Sequence, residues 1–176
     1  MINQVTKDKV ELLHQQYIRL AKGRERALYE TAMSELPDMV YNSNAIENST
    51  LTLQDTEAII IHGKIIKDHE IREIYEAKNL ARVTTELMKN PNERMSVGLI
   101  LSLHSLLMSG IRDDIAGRFR CGDEWVRVGT HLGANPAFVS GLISELVISY
   151  CNDDSYFLDK IAHFHAEFET IHPFSD

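Results

Sequence analysis

The residues best suited to chemistry lie at the end of the chain, where His163 to Asp176 read HFHAEFETIHPFSD. A histidine has a reference pKa of ~6.5, so near pH ~7.4 it can serve as a general base, and His172 is the candidate. An aspartate is a hard oxygen ligand for a divalent ion, and Asp176 stands four residues further on. A plainer reading uses the same residues: a histidine complements the negative end of a helix dipole, and Pro173-Phe174-Ser175-Asp176 forms an ordinary turn. Spacing alone leaves both readings open.

Such residues need an element to present them. Phe157, Ile161, Phe164, Phe168 and Ile171 recur at spacings of four, three, four and three, the stripe of a buried amphipathic helix. Pro173 ends that helix. A residue before proline is driven toward extended geometry, so His172 is expected to be extended, with its imidazole projecting from the helix end.

Upstream, residues from about Lys7 to Glu35 read as one long helix with Val10, Leu13, Tyr17 and Leu20 on a stripe. Gly23 is a weak point there, costing about 1 kcal/mol against alanine. Pro37 suits the first turn of a short helix running to about Ile46, on which Ser43 and Glu47 share a face. Its plain reading is an exposed helix end with Asn48 as a left-handed cap. Thr52-Leu53-Gln54-Asp55 has capping-box spacing and opens a helix that Gly63 closes. From about Asp68 to Lys89, a further pattern points Ile74, Ala77, Leu80, Val83 and Leu87 inward.

Ser96 to Met108 is apolar almost all round, which predicts a central buried helix with His104 as a hydrogen-bonded core histidine. Residues 117–129, GRFRCGDEWVRVG, look like strand, and Cys121-Gly122-Asp123 supplies a turn for a two-stranded hairpin. Asn135-Pro136 starts another helix, with Val139, Leu142, Ile143, Leu146 and Tyr150 on its buried face. The expected fold is all-α: six or seven helices and one hairpin, in a single domain over residues 1–176. Within it, residues 1–36 form the N-terminal helix, 37–48 the short second helix and 52–176 the core.

A net charge of -8 and a pI near 5.5 argue against a nucleic-acid partner, which calls for a basic face. No apolar run reaches the ~20 residues of a membrane span, and the first residues lack a secretory apolar core, so a cytoplasmic protein is expected. The two cysteines, Cys121 and Cys151, are expected as free thiols.

Ile171-His172-Pro173-Phe174-Ser175-Asp176 resembles the first half of the Fic family signature, H-x-F-x-(D/E)-G-N-G-R-x-x-R. Ser43-Asn44-Ala45-Ile46-Glu47-Asn48 resembles that family's inhibitory helix motif, (S/T)-x-x-x-E-(G/N). Ala116-Gly117-Arg118-Phe119-Arg120 and the residues after it resemble the hairpin flap beside the family's active site. The motifs stand in the family's order.

The resemblance implies a Fic-like helical domain that moves AMP from ATP to a Ser, Thr or Tyr hydroxyl of a target protein. His172 would take the hydroxyl proton, Asp176 would hold Mg²⁺ against the phosphates, and Phe174 would anchor the loop. Trp125, Val126, Arg127 and Val128 would form a docking strand for the target. Glu47, with Ser43, would inhibit by pairing with the signature's last arginine. The glycine-rich half is not among the 176 residues, so no phosphate-binding residue is assigned. The chain is expected to be truncated within the signature and inactive alone.

Three other readings compete. The same family includes enzymes that use this glutamate to remove AMP. A non-enzymatic helical module could hold a partner peptide on the hairpin edge, and apolar surface left open would favour homo-oligomers. Glu11-Leu12-Leu13-His14 and Glu169-Thr170-Ile171-His172 are E-x-x-H pairs of the kind that di-metal carboxylate bundles use, although that site needs two more inward glutamates.

Overall fold

Asn3 starts the first helix, its side chain accepting the Thr6 N–H at 2.9 Å and so satisfying one of the donors a helix start leaves free. A computed structural model describes residues 2–175, apart from the side chain of Val128. These residues form two compact units, one over residues 2–93 and one from Arg94 onward.

The first unit holds α1 (Gln4–Ala21), α2 (Glu25–Ser34), α3 (Leu36–Ile46), α4 (Leu53–His62) and α5 (Ile71–Lys89). The single helix expected over residues 7–35 is two. Lys22 leaves the helical region with ψ 121, and Gly23 turns at φ +76, a conformation open to glycine at no steric cost. The Glu25 carboxylate then accepts the Gly23 N–H and marks the start of α2. This break brings the total among the described residues to eight α-helices rather than six or seven. The stripe expected on α1 is not covered within its unit: no residue of α1 is buried, and Leu13, Tyr17 and Leu20 are all exposed.

The core of this unit comes from α3, α4, α5 and the segment ahead of α4, where Leu36, Val40, Leu51, Ile59, Ala77 and Ala81 cluster. The expected capping box is present. Thr52 accepts the Asp55 N–H at 3.2 Å and Asp55 accepts the Thr52 N–H at 3.1 Å, while Gly63 closes α4 in the left-handed region. Leu87, expected inward, is 40% exposed because it falls in the last turn of α5, beyond the buried Ala77, Ala81 and Val83.

The second unit holds α6 (Val97–Met108), the strands β1 (Arg127–Val128) and β2 (His131–Leu132), a 3-10 turn at Pro136–Phe138, α7 (Val139–Asn152) and α8 (Phe157–Ile171). Its core joins Ile100, Val139, Ile143, Leu146, Val147 and Ile171, with Phe119, Phe164, Phe168 and Phe174 packed against them. The apolar residues of α6 are all buried or half-buried, as its composition predicts. On α8 the expected stripe is buried only toward its end. Phe157 and Ile161 are 41% and 50% exposed, whereas Phe164, Phe168 and Ile171 reach the core shared with α7.

The hairpin lies further along the chain than expected. Its antiparallel pairs are Arg127 with Leu132 and Val128 with His131, which leaves Gly129-Thr130 as a two-residue loop. Such loops require left-handed backbone, and Gly129 supplies φ +58. Cys121-Gly122-Asp123 does turn, but side chains close it instead of a strand ladder. Arg118 donates to both Glu124 oxygens at 2.8 and 2.7 Å, and the Cys121 N–H donates to the same carboxylate at 2.7 Å. The Arg118 hydrogen bonds, helped by the Cys121 N–H, pull the Glu124 pKa down to about 2.

Candidate active site

The helical hydrogen bonds of α8 run through Ile171, and the His172 N–H still donates to the Phe168 carbonyl at 2.9 Å. His172 then adopts φ 49 and ψ 75, left-handed rather than the extended geometry expected from Pro173. The proline rule acts chiefly against the right-handed helical region, and histidine is among the residue types that enter the left-handed one. Pro173 is buried and its carbonyl accepts the Arg120 N–H at 3.0 Å.

Phe174 follows and lies flat on His104, with ring centroids 3.7 Å apart and planes 7° from parallel. Phe119 at 5.7 Å and Phe168 at 6.2 Å complete an aromatic cluster around it. His104 is 4% exposed, and its Nδ1 accepts the Gly117 N–H at 3.0 Å. It therefore supports the loop after His172 from beneath. Asp176, the residue proposed to bind a metal, lies outside the described residues.

The largest fully buried side chain described is Arg120, only 1% exposed. Its guanidinium donates to the carbonyls of His172 at 2.5 Å, Ile171 at 2.9 Å and Glu124 at 3.2 Å, and also to that of Ala134. Burial lowers its pKa, and the Glu124 charge opposes the shift. Gly133 lies alongside. A Cβ there would come 3.0 Å from Arg120 Nη2 and 3.2 Å from His172 Cβ, so any larger residue would crowd the close approach.

The hairpin is tied to the same helix end. The Ala134 N–H donates to the Ile171 carbonyl at 3.1 Å, and the Gly133 N–H prolongs the ladder to the Val126 carbonyl at 3.0 Å. His131 Nε2 lies 2.9 Å from the Thr170 carbonyl, a bond made by the tautomer with its proton there. His131, Glu169, Thr170 and His172 line an open recess of about 250 Å³. Its chemistry is that of an imidazole on an open recess, a group able to take a proton from a hydroxyl brought to it.

The second unit therefore brings together His172, Phe174 and the four hairpin residues. Arg127 and Val128 form β1, while Trp125 and Val126 lie just ahead of it, with Trp125 51% exposed. Ser43 and Glu47 belong to the other unit. Both are exposed, Ser43 on α3 and Glu47 at its end with φ -89 and ψ 18, and Asn48 takes the left-handed φ of 65. The segment beyond is pinned by Glu73, which accepts hydrogen bonds from the Ser49 hydroxyl at 3.2 Å, the Thr50 hydroxyl at 2.9 Å and the Thr50 N–H.

Arg120, His131 and Gly133 had no role assigned from sequence. Arg120 stands inside the flap-like motif, where its alternation with Arg118 was a signal, but nothing local reveals that its partners lie at 171 and 172. For the di-metal reading, Glu11 and His14 are exposed on α1, and no group of three or more ligating side chains is placed to hold a metal among the described residues. No helix among them is long and apolar enough to cross a membrane.

The sequence profile of the Fic/DOC family matches residues 94–176. Protein adenylyltransferase fic-1 of Caenorhabditis elegans is 29% identical over 145 residues, covering 78% of this chain and 28% of that relative. Its counterpart in Caenorhabditis briggsae is 28% identical over the same length. This chain thus spans under a third of the curated relatives it matches. Among solved structures, a Fic family protein from Desulfovibrio desulfuricans superposes with a TM-score of 0.79 at 31% identity, over all of this chain and 54% of that one. A Fic-domain-containing signaling protein from Bacteroides thetaiotaomicron shares the fold, with a TM-score of 0.77 at 18% identity over 95% of this chain and 66% of its own. An imidazole at the end of α8, a hairpin stitched to it and a family profile over both make residues 94–176 of this chain a member of the Fic/DOC family.

Proposed function

We propose that the protein is a Fic-type adenylyltransferase that moves AMP from ATP to a hydroxyl of a target protein, releasing pyrophosphate. The observation that carries the reading is His172, held at the end of α8 on the wall of an open recess that it shares with the hairpin. There His172 takes the proton of the incoming hydroxyl as its oxygen forms a bond to the α-phosphorus and the bond to pyrophosphate breaks. Phe174 fixes the loop through its stack on His104, and Trp125, Val126, Arg127 and Val128 provide the strand along which a target segment aligns.

Mg²⁺ binds through one or two carboxylates plus phosphate oxygens and keeps several waters, which suits a single acid such as Asp176. Bound there, it would neutralise charge on the phosphates. In this reading residues 1–176 alone do not transfer AMP, because no glycine-rich sequence is present among them to hold the phosphates. Glu47 restrains the reaction in a chain that carries the complete signature, and the same glutamate supports AMP removal as the second reading.

The test is transfer of label from α-³²P-ATP to protein by residues 1–176 continued through Gly-Asn-Gly-Arg-x-x-Arg. Expected is labelling that His172→Ala lowers by about 10²- to 10⁴-fold, the usual worth of a general base. Equal labelling by both proteins would overturn the assignment. Release of AMP from a modified target by the wild-type chain, without transfer, would favour the second reading.

A further inference from the structure

We propose that Arg120 is a positioning residue for His172: its buried guanidinium holds the left-handed end of α8 and thereby fixes where the imidazole stands. The kinetic consequence rests on the adenylyltransferase reading; the positional one does not.

A helix leaves its last carbonyls without intrahelical partners, and the N–H groups just past the end commonly satisfy them. Here the residue after His172 is Pro173, which has no N–H to give. The carbonyls at the very end take their donors from Arg120, Nη2 to Ile171 and Nε to His172, while its own N–H holds the Pro173 carbonyl. One residue thus grips three consecutive carbonyls around the candidate base. A helix C-terminus carries partial negative charge, so a cation there is matched electrostatically as well as by hydrogen bonding.

Two further observations argue against simple space filling. Desolvating an arginine this completely costs several kcal/mol, yet among the described residues every hydrogen bond its guanidinium makes ends on a main-chain carbonyl. A hydrocarbon side chain would fill the same volume without that cost. One partner, His172, is also in a conformation that needs holding. A non-glycine residue in the left-handed region costs roughly 1–2 kcal/mol. Gly133 completes the arrangement, since its missing Cβ lets the guanidinium lie against His172.

The test uses Arg120→Lys and Gly133→Ala in the chain carrying the complete signature, with two readouts. For Arg120→Lys, kcat for AMP transfer is expected to fall about 10- to 100-fold with KM for ATP within about twofold, since a small misplacement of a reacting group has that effect. Amide exchange at Ala134 and His172 should accelerate about tenfold or more, while Ile143 in the core keeps its protection. A merely structural arginine would lower Tm and loosen the whole unit without changing kcat per folded molecule. The proposal is overturned if kcat stays within about twofold of wild type, or if exchange at Ala134 and His172 is unchanged. Should Arg120→Lys not fold, Gly133→Ala, which keeps the guanidinium and only crowds it, decides by the same readouts. Should the wild type transfer no AMP, the functional reading fails, and amide exchange alone decides the positional claim.

Discussion

A histidine that ends a helix and opens onto a recess meets two demands with one backbone conformation, and His172 meets them at φ 49. Its position was legible in sequence, because Pro173 stops the helix there. Its conformation was not: the proline rule is local, whereas the arginine that donates to the His172 carbonyl is 52 residues away. Gly117 makes the same point in reverse. It sits at φ +73 with its N–H on His104, and a Cβ would lie 2.9 Å from Ser105 Cβ. Gly117→Ala therefore combines left-handed strain with a clash and should cost about 1–3 kcal/mol, read as a lower urea midpoint at unchanged m-value.

Among elements, helix starts and stops were the most readable. Thr52, Gly63, Asn135 and Pro37 each act where their side-chain chemistry places them. The hairpin was misplaced because an Arg118–Glu124 pair, invisible to strand propensity, closes the first turn and leaves pairing to the segments around Gly129. The link from α5 to the end of α3 was also hidden, since a buried glutamate is not expected on an inward face. Burial pushes the Glu73 pKa up, but the Thr50 N–H, the Thr50 hydroxyl and the Ser49 hydroxyl more than offset this and hold it below the ordinary range. A depressed carboxylate contributes stability above its unfolded pKa, and that stability is lost as pH falls through the folded one. Glu73→Gln should thus cost about 1–3 kcal/mol at pH ~7 in urea unfolding followed by circular dichroism, and the gap to wild type should narrow as pH drops below ~4.3.

At the scale of the whole molecule, the family profile covers the second unit, while Ser43 and Glu47, of the motif resembling the family's inhibitory helix, lie in the first. The proposed activity and its proposed restraint therefore map to separate units, and a functional measurement is what would connect them. In the chain with the complete signature, Glu47→Gly is expected to raise AMP transfer, including self-modification, by at least about tenfold, the scale of a coupling free energy of about 1–3 kcal/mol. Unchanged transfer would remove the inhibitory role from Glu47 and leave the assignment of the base untouched. The all-helical architecture was legible from periodicity. The division into two units was not, because apolar spacing says which face of a helix is buried and not which helices share a core.

The bonds from Arg120 to Ile171 and His172 have a consequence for folding. They close stretches of 51 and 52 residues that contain the hairpin and all of α7 and α8. Contacts so distant in sequence must overcome loop-closure entropy and tend to form after local structure has condensed. The imidazole is thus set in place only when the surrounding chain is already assembled, and a copy caught partway through folding carries its chemistry unaligned.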